Sequence, residues 1–353
     1  MLQNEFQYYA ELESTDGRRL GDVRLDVDWI PALRWAEFEQ TVRSGNSGVD
    51  YPAGSLVEPV WSSKGKPPYV CAVQIGRKGN GASPLELSIL YFFNAVSAAS
   101  TQLVESGVLE KGQLFEYKIY ALANEHNRKQ SELNIDVVPV VQAPDIDQIE
   151  LAPIVAQATL RSVFGSADRK QATDTDTGTL PVFIPKNVLD EATAISQSAD
   201  NIETGGVLVG KLCRDPGGVL FLMVTAQIPA EHTTGTLASL RLTPETWVSV
   251  DAAIKLRNRR EIALGWWHCH PFFCRNCTPE MRAYCKFSVP AFSAADRDVH
   301  REVFQQPWSI ALLLSFLGDR LPSYDLFAWN RAQIEAVDFF TLPDCCIAKG
   351  RAP

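Results

Sequence analysis

Between Gly21 and Ile30 the chain reads GDVRLDVDWI, with apolar and polar residues alternating as in a strand that buries one face. PPYVCAVQI, residues 67–75, predicts a more deeply buried strand, and QLFEYKIYALA, residues 113–123, predicts a third. From Pro84 the stretch LELSILYFFNAVSAASTQLVESG places apolar residues three and four apart, which predicts one long helix closed by Gly107. Cys71, inside the second strand, reads as a core residue. These elements predict an α+β unit over residues 1–164. It carries no ligand or nucleophile spacing, so its expected role is recognition or scaffolding.

GSADRKQATDTDTGTL, residues 165–180, is rich in Thr, Asp, Ser and Gly and has no periodicity, which predicts a linker. After it the pattern changes. PVFIP predicts a strand, NVLDEATAISQSA an amphipathic helix, and ETGGVLVGKL and VLFLMVTAQI two strands around the turn RDPGG. Thr243 and Pro244 open a second helix through TPETWVSVDAAIKLRNR. EIALGWWHCH is then a strand, AADRDVHREVFQ a helix, and WSIALLLSF and SYDLFAWN two more strands. The expectation is an α/β sandwich over residues 181–342, followed by a tail at 343–353.

Composition narrows the function classes. The chain has 353 residues, a length that suits two domains, and no apolar run reaches the roughly 18–20 residues of a membrane span. The first residues lack the basic and apolar regions of a secretory signal, so the cytoplasm is the expected compartment. A formal charge of -9 argues against a nucleic-acid partner. The basic run KLRNRR, residues 255–260, reads as the solvated end of a helix. Eight cysteines are too few for a disulfide scaffold, so clustered ones suggest metal.

The candidate chemistry is concentrated at GWWHCHPFFCRNC, residues 265–277, which holds two of the five histidines and three of the eight cysteines. On a strand, His268 and His270 share a face and Cys269 points the other way. Two imidazoles where Pro271 ends the ladder make an open pair suited to zinc. Downstream, Ser293 and Asp296 lie three residues apart at the start of a helix and can face one cavity. Two histidines, one aspartate and a water make the donor set of a catalytic zinc. Hydrolysis also needs a base, and Glu203 is the candidate. It precedes Gly205 and Gly206, whose bare backbone would admit an extended substrate; alternatively Glu203 caps a turn and the glycines form a bulge.

Taken together, Glu203-Thr-Gly-Gly-Val-Leu-Val-Gly, Gly265-Trp-Trp-His268-Cys-His270-Pro271 and Ser293-Ala-Ala-Asp296 closely resemble the JAMM motif of the JAB/MPN/Mov34 family of zinc isopeptidases. The resemblance covers about residues 178–340. It implies an MPN-type mixed sheet sandwiched by helices, with His268, His270 and Asp296 as ligands of a catalytic zinc. Glu203 would be the general acid/base and Ser293 the stabiliser of the oxyanion, with Gly205, Gly206 and Trp267 along the substrate groove. It further implies cleavage after the C-terminal glycine of ubiquitin or a ubiquitin-like modifier, whose conjugates, with activating and conjugating enzymes, would be the partners. The layout is similar to JAMM proteins of bacterial antiphage operons. The alternatives are a JAMM peptidase acting on a sulfur-carrier protein and a non-catalytic MPN scaffold.

The chain departs from the family in the 21 residues between Pro271 and Ser293. This insertion, at 272–290, carries Cys274, Cys277 and Cys285, and the Cys-x-x-Cys spacing suits a second, structural zinc. Cys269, Cys345 and Cys346 are candidates for its fourth ligand. Alternatively the thiols are reduced and Phe272, Phe273 and Tyr284 hold the loop.

Overall fold

A computed structural model describes residues 2–3, 6–43, 55–63, 68–76, 84–123, 144–161, 179–199, 202–230, 242–270, 292–316 and 322–344. The chain forms two compact units, Met1–Gln142 and Ala143–Pro353.

The first unit is built on strands β1 (Leu2–Gln3), β2 (Phe6–Ser14), β3 (Arg19–Arg24), β4 (Ser55–Trp61), β5 (Val70–Gly76), β6 (Leu85–Ser88) and β7 (Phe115–Ala123). They form one sheet in the order β1-β4-β5-β7-β2-β3, with β6 added to β5. In β2 the residues Tyr8, Ala10 and Leu12 are buried and alternate with more exposed neighbours, the signature of a one-sided strand. Tyr8, Trp29, Tyr91 and Phe92 pack ring against ring in its core.

Three expectations for this unit are corrected. GDVRLDVDWI keeps its strand only to Arg24, and Ile30 opens helix α1 (Ile30–Glu37), where Pro31 at the first turn loses no hydrogen bond. The long helix expected from Pro84 is helix α2 (Phe93–Glu105), reached through a 3-10 turn at Ile89–Phe92, because Leu85–Ser88 pairs with β5 instead. Cys71 is exposed, since on β5 it alternates with the buried Val70 and Ala72.

The second unit contains β8 (Ile146–Gln148), β9 (Thr159–Arg161), β10 (Val182–Pro185), β11 (Gly205–Arg214), β12 (Leu220–Pro229), β13 (Ile262–His270), β14 (Ile310–Ser315), β15 (Ser323–Asn330), β16 (Gln333–Val337) and β17 (Phe339–Leu342). They form a mixed sheet in the order β16-β15-β14-β13-β11-β12-β10-β17-β9, with β8 beside β11. Its helices are α3 (Ala152–Val155), α4 (Lys186–Ser198), α5 (Pro244–Arg257) and α6 (Ala294–Val303). On one face α4 bonds to β15 through Thr193 and Tyr324. On the other, α5 packs Val250 against Val207 and Val209 of β11, and α6 sets His300 against Trp266 of β13. No described helix is long and apolar enough to cross a membrane.

The boundary between the units falls earlier than the expected residue 164. β8 pairs with β11, β9 pairs with β17, and Leu151 joins a buried cluster with Phe183, Phe221 and Phe340. Residues 144–161 therefore complete the second unit's sheet and core, and most of the expected linker lies outside the described residues. β16 and β17 also extend the sheet past the strand expected to be last.

The basic run at 255–260 does end α5, with Asn258 closing it in the left-handed conformation. Arg257 within it is not merely solvated: it grips the buried Glu261 through Nε and Nη2 at 2.6 and 2.9 Å. On β13, Gly265 is squeezed between β11 and β14, and a Cβ there would lie 1.8 Å from the carbonyl oxygen of Ile310. Gly265→Ala must push β14 away, so thermal unfolding should show a stability loss of about 1–3 kcal/mol.

Candidate metal centre

β13 and β14 run parallel, so the chain must cross back between them, and α6 is the helix that ends this crossover. That connection brings the first turn of α6 to the end of β13 where His268 and His270 stand. Ser293 is its N-cap and forms a capping box with Asp296: Asp296 N–H donates to Ser293 Oγ at 3.1 Å, and Ser293 N–H donates to Asp296 Oδ2 at 2.7 Å. The box turns the carboxylate toward the strand. Asp296 Oδ1 lies 3.2 Å from His268 Nε2, and Oδ2 lies 3.6 Å from His270 Nε2. All three residues offer ligand atoms within 4.8 Å of one another.

The electrostatics of this group suit a cation. Burial keeps His268 neutral, outweighing the nearby Asp296 carboxylate that would charge it. Burial alone would raise Asp296, but the His268 and His270 rings beside it and its capping bond with Ser293 hold it well below the usual carboxylate range. Among the described residues neither buried ring nitrogen of His268 has a hydrogen-bond partner, although Asp296 Oδ1 lies 3.2 Å from Nε2. Leaving such atoms unsatisfied costs about 1–3 kcal/mol, and a coordinated ion would remove that cost at Nε2. Neutral imidazole and ionised carboxylate are the forms that bind metal. The residues present therefore fit a divalent ion with two nitrogen donors and one oxygen donor. His270 is 27% exposed at its side chain, so the group is open on one side.

Glu203 lies just before β11. The register Gly205↔His268, together with the bond from Cys269 N–H to Thr204 O at 2.9 Å, sets Glu203 beside the end of β13. Alternation puts it on the face of His268 and His270. It is buried, and its pKa is pushed up to about 7, chiefly by burial and further by Asp296, against the pull of His270. The raised value is that of a group able to take and return a proton near neutrality.

The glycines after Glu203 have a different role from the one expected. Gly205 and Gly206 are paired with β13, and β12 flanks them on the other side, so no edge is open there to an extended substrate. A Cβ on Gly206 would meet Ile228 O at 2.4 Å and Trp267 Nε1 at 2.6 Å. Its lack of a side chain makes room for Trp267, which is wholly buried on the opposite face from the histidines and donates to Gln227 Oε1 at 3.2 Å. Among the described residues, Trp267, Gly205 and Gly206 thus form packing behind the centre.

Cys269 also points away from the histidines. Its Sγ is buried, accepts the N–H of Thr204 at 3.3 Å and lies 3.1 Å from Thr204 Oγ1, which donates to Ser196 of α4 at 3.2 Å. It is thus engaged in packing against α4. Cys274, Cys277, Cys285, Cys345 and Cys346 lie outside the described residues.

Sequence reasoning missed the support behind His268. Trp266 stacks on its ring with centroids 4.5 Å apart and planes at 11°. His300, one turn beyond Asp296 on α6, accepts the indole N–H of Trp266 at Nδ1, 3.2 Å away. Two-residue spacing from His268 and four-residue spacing from Asp296 were the available signals.

No family model matches the chain, and no curated protein does. The solution structure of a protein from Desulfitobacterium hafniense is similar over 46% of this chain and 94% of that chain, at 19% identity and a TM-score of 0.32.

Proposed function

We propose that the second unit is a JAMM-type zinc peptidase that cleaves after the C-terminal glycine of ubiquitin or a ubiquitin-like modifier. The observation that carries this reading is the convergence of His268, His270 and Asp296 within 4.8 Å. A buried carboxylate with a pKa near 7 stands beside them. The sequence motif that relates the chain to this family supplies the substrate class.

Zinc, when bound, supplies a Lewis acid and lowers the pKa of water. His268, His270 and Asp296 would hold it. Glu203 accepts the proton of the attacking water and returns it to the leaving amine. Ser293 Oγ accepts the Asp296 N–H, and its hydroxyl would donate to the oxygen on which charge develops. A second, structural zinc on Cys274, Cys277 and Cys285 belongs to the same proposal. Because Cys269 is engaged by Thr204, its fourth ligand is better sought in Cys345 or Cys346.

The reading is tested with ubiquitin and ubiquitin-like proteins carrying a tail fused after Gly-Gly. The expected result is cleavage at the glycine, lost on adding a zinc chelator and recovered with zinc. A zinc-loaded chain that leaves every fusion intact would replace the peptidase with the scaffold.

A further inference from the structure

A histidine that binds metal through one nitrogen ordinarily donates from the other to a carboxylate or carbonyl, and that bond fixes the plane of the ring. Among the described residues His268 lacks it: Nδ1 is buried and has no hydrogen-bond partner. Its ring is instead covered by Trp266, stacked at 4.5 Å, and flanked by Phe292 at 6.1 Å. Stacking alone leaves an indole free to slide or rotate in its plane. That freedom is removed by the Trp266 Nε1–H to His300 Nδ1 bond.

His300 is in turn confined by Phe304, Phe292 and Trp329, with ring centroids 5.4–6.3 Å away. Trp329 is tied to the end of α6 by its N–H to Phe304 O at 2.9 Å. Because His300 and Asp296 share α6, this bond ties the ring stacked on one ligand to the helix that carries another.

We propose that His300 is a positioning residue for the metal, acting through the plane of Trp266 to hold His268 and α6 in ligand geometry. The inference rests on the metal reading above and concerns affinity alone, so no substrate is needed to test it. Burial drives the His300 pKa down to about 3, which keeps the ring neutral and Nδ1 able to accept.

The test is the zinc dissociation constant, measured by competition with a chromophoric chelator, for wild type, His300→Leu, His300→Asn and Trp266→Phe. Loss of a supporting bond behind a metal ligand weakens binding by about 10- to 100-fold. His300→Leu fills the space without an acceptor, and Trp266→Phe keeps an aromatic ring without the donor; both should fall in that range. His300→Asn places an oxygen where Nδ1 stood and should bind zinc more tightly than the Leu variant, close to wild type. A residue that serves folding alone would lower thermal stability in the variants and leave affinity untouched. Wild-type affinity in a folded His300→Leu or Trp266→Phe protein overturns the inference, as does an Asn variant as weak as the Leu variant. A wild-type chain that takes up no zinc removes the metal reading itself, and this inference with it.

Discussion

Glu203→Gln should retain zinc and the wild-type thermal transition while losing about 100- to 10,000-fold in cleavage rate, the range over which a positioned general acid/base acts. The variant is close to isosteric, and Glu203 lies outside the His268, His270 and Asp296 group, so all three ligands stay in place. An amide can neither take a proton from water nor return one to an amine. Measuring the cleavage rate of a Gly-Gly-tailed fusion against zinc content separates the outcomes, and a variant as fast as wild type would exclude Glu203 as the base.

The same carboxylate governs the acid side of the pH profile. Only its ionised form accepts a proton, so the rate should fall as pH drops through its pKa. Burial sets that value near 7 in the metal-free protein against an ordinary 4.5. A bound dication favours the ionised form and moves the limb downward, so it should lie between those two values. In Glu203→Gln the residual rate should lack that limb.

His270→Ala should remove the catalytic zinc altogether. His270 is the more exposed ligand, so cutting it back to Ala removes its ring contact with His268 but leaves the stacked Trp266 and the Ser293–Asp296 capping box in place. With two protein ligands left, zinc per chain measured by metal analysis should fall by one. Stability should follow by mass action. Zinc at about 100 times its dissociation constant stabilises the wild-type fold by about 2.7 kcal/mol, whereas the variant's melting temperature should not respond to zinc. Unchanged zinc content in this variant would reject the His268, His270 and Asp296 site.

The parts of the site legible in the chain were those that depend on local periodicity. His268 and His270 share a face because strand side chains alternate, and Ser293 and Asp296 form a capping box because helix starts have fixed spacing. Gly205, Gly206 and Trp267 were misread for a physical reason. A glycine beside a functional group signals close approach, but what approaches Gly206 is the β12 backbone and an indole of the same chain. In the first unit, Leu85 and Leu87 fit a helix and a strand equally well, and pairing with β5 decided for the strand.

By itself the sequence determined a second unit of alternating strands and helices, the donor types at the end of one strand and the acidic cap of one helix. These follow from backbone geometry acting over a few residues. Only the tertiary structure decided that Asp296 meets the two histidines, through the parallel pairing of β13 with β14 that requires α6 to cross between them. It also decided that residues near Ile146 and Thr159 belong to the second unit, and that Trp266 and His300 stand behind His268. Contacts between residues tens of positions apart depend on strand order and packing, and no local pattern of apolar and polar residues encodes either.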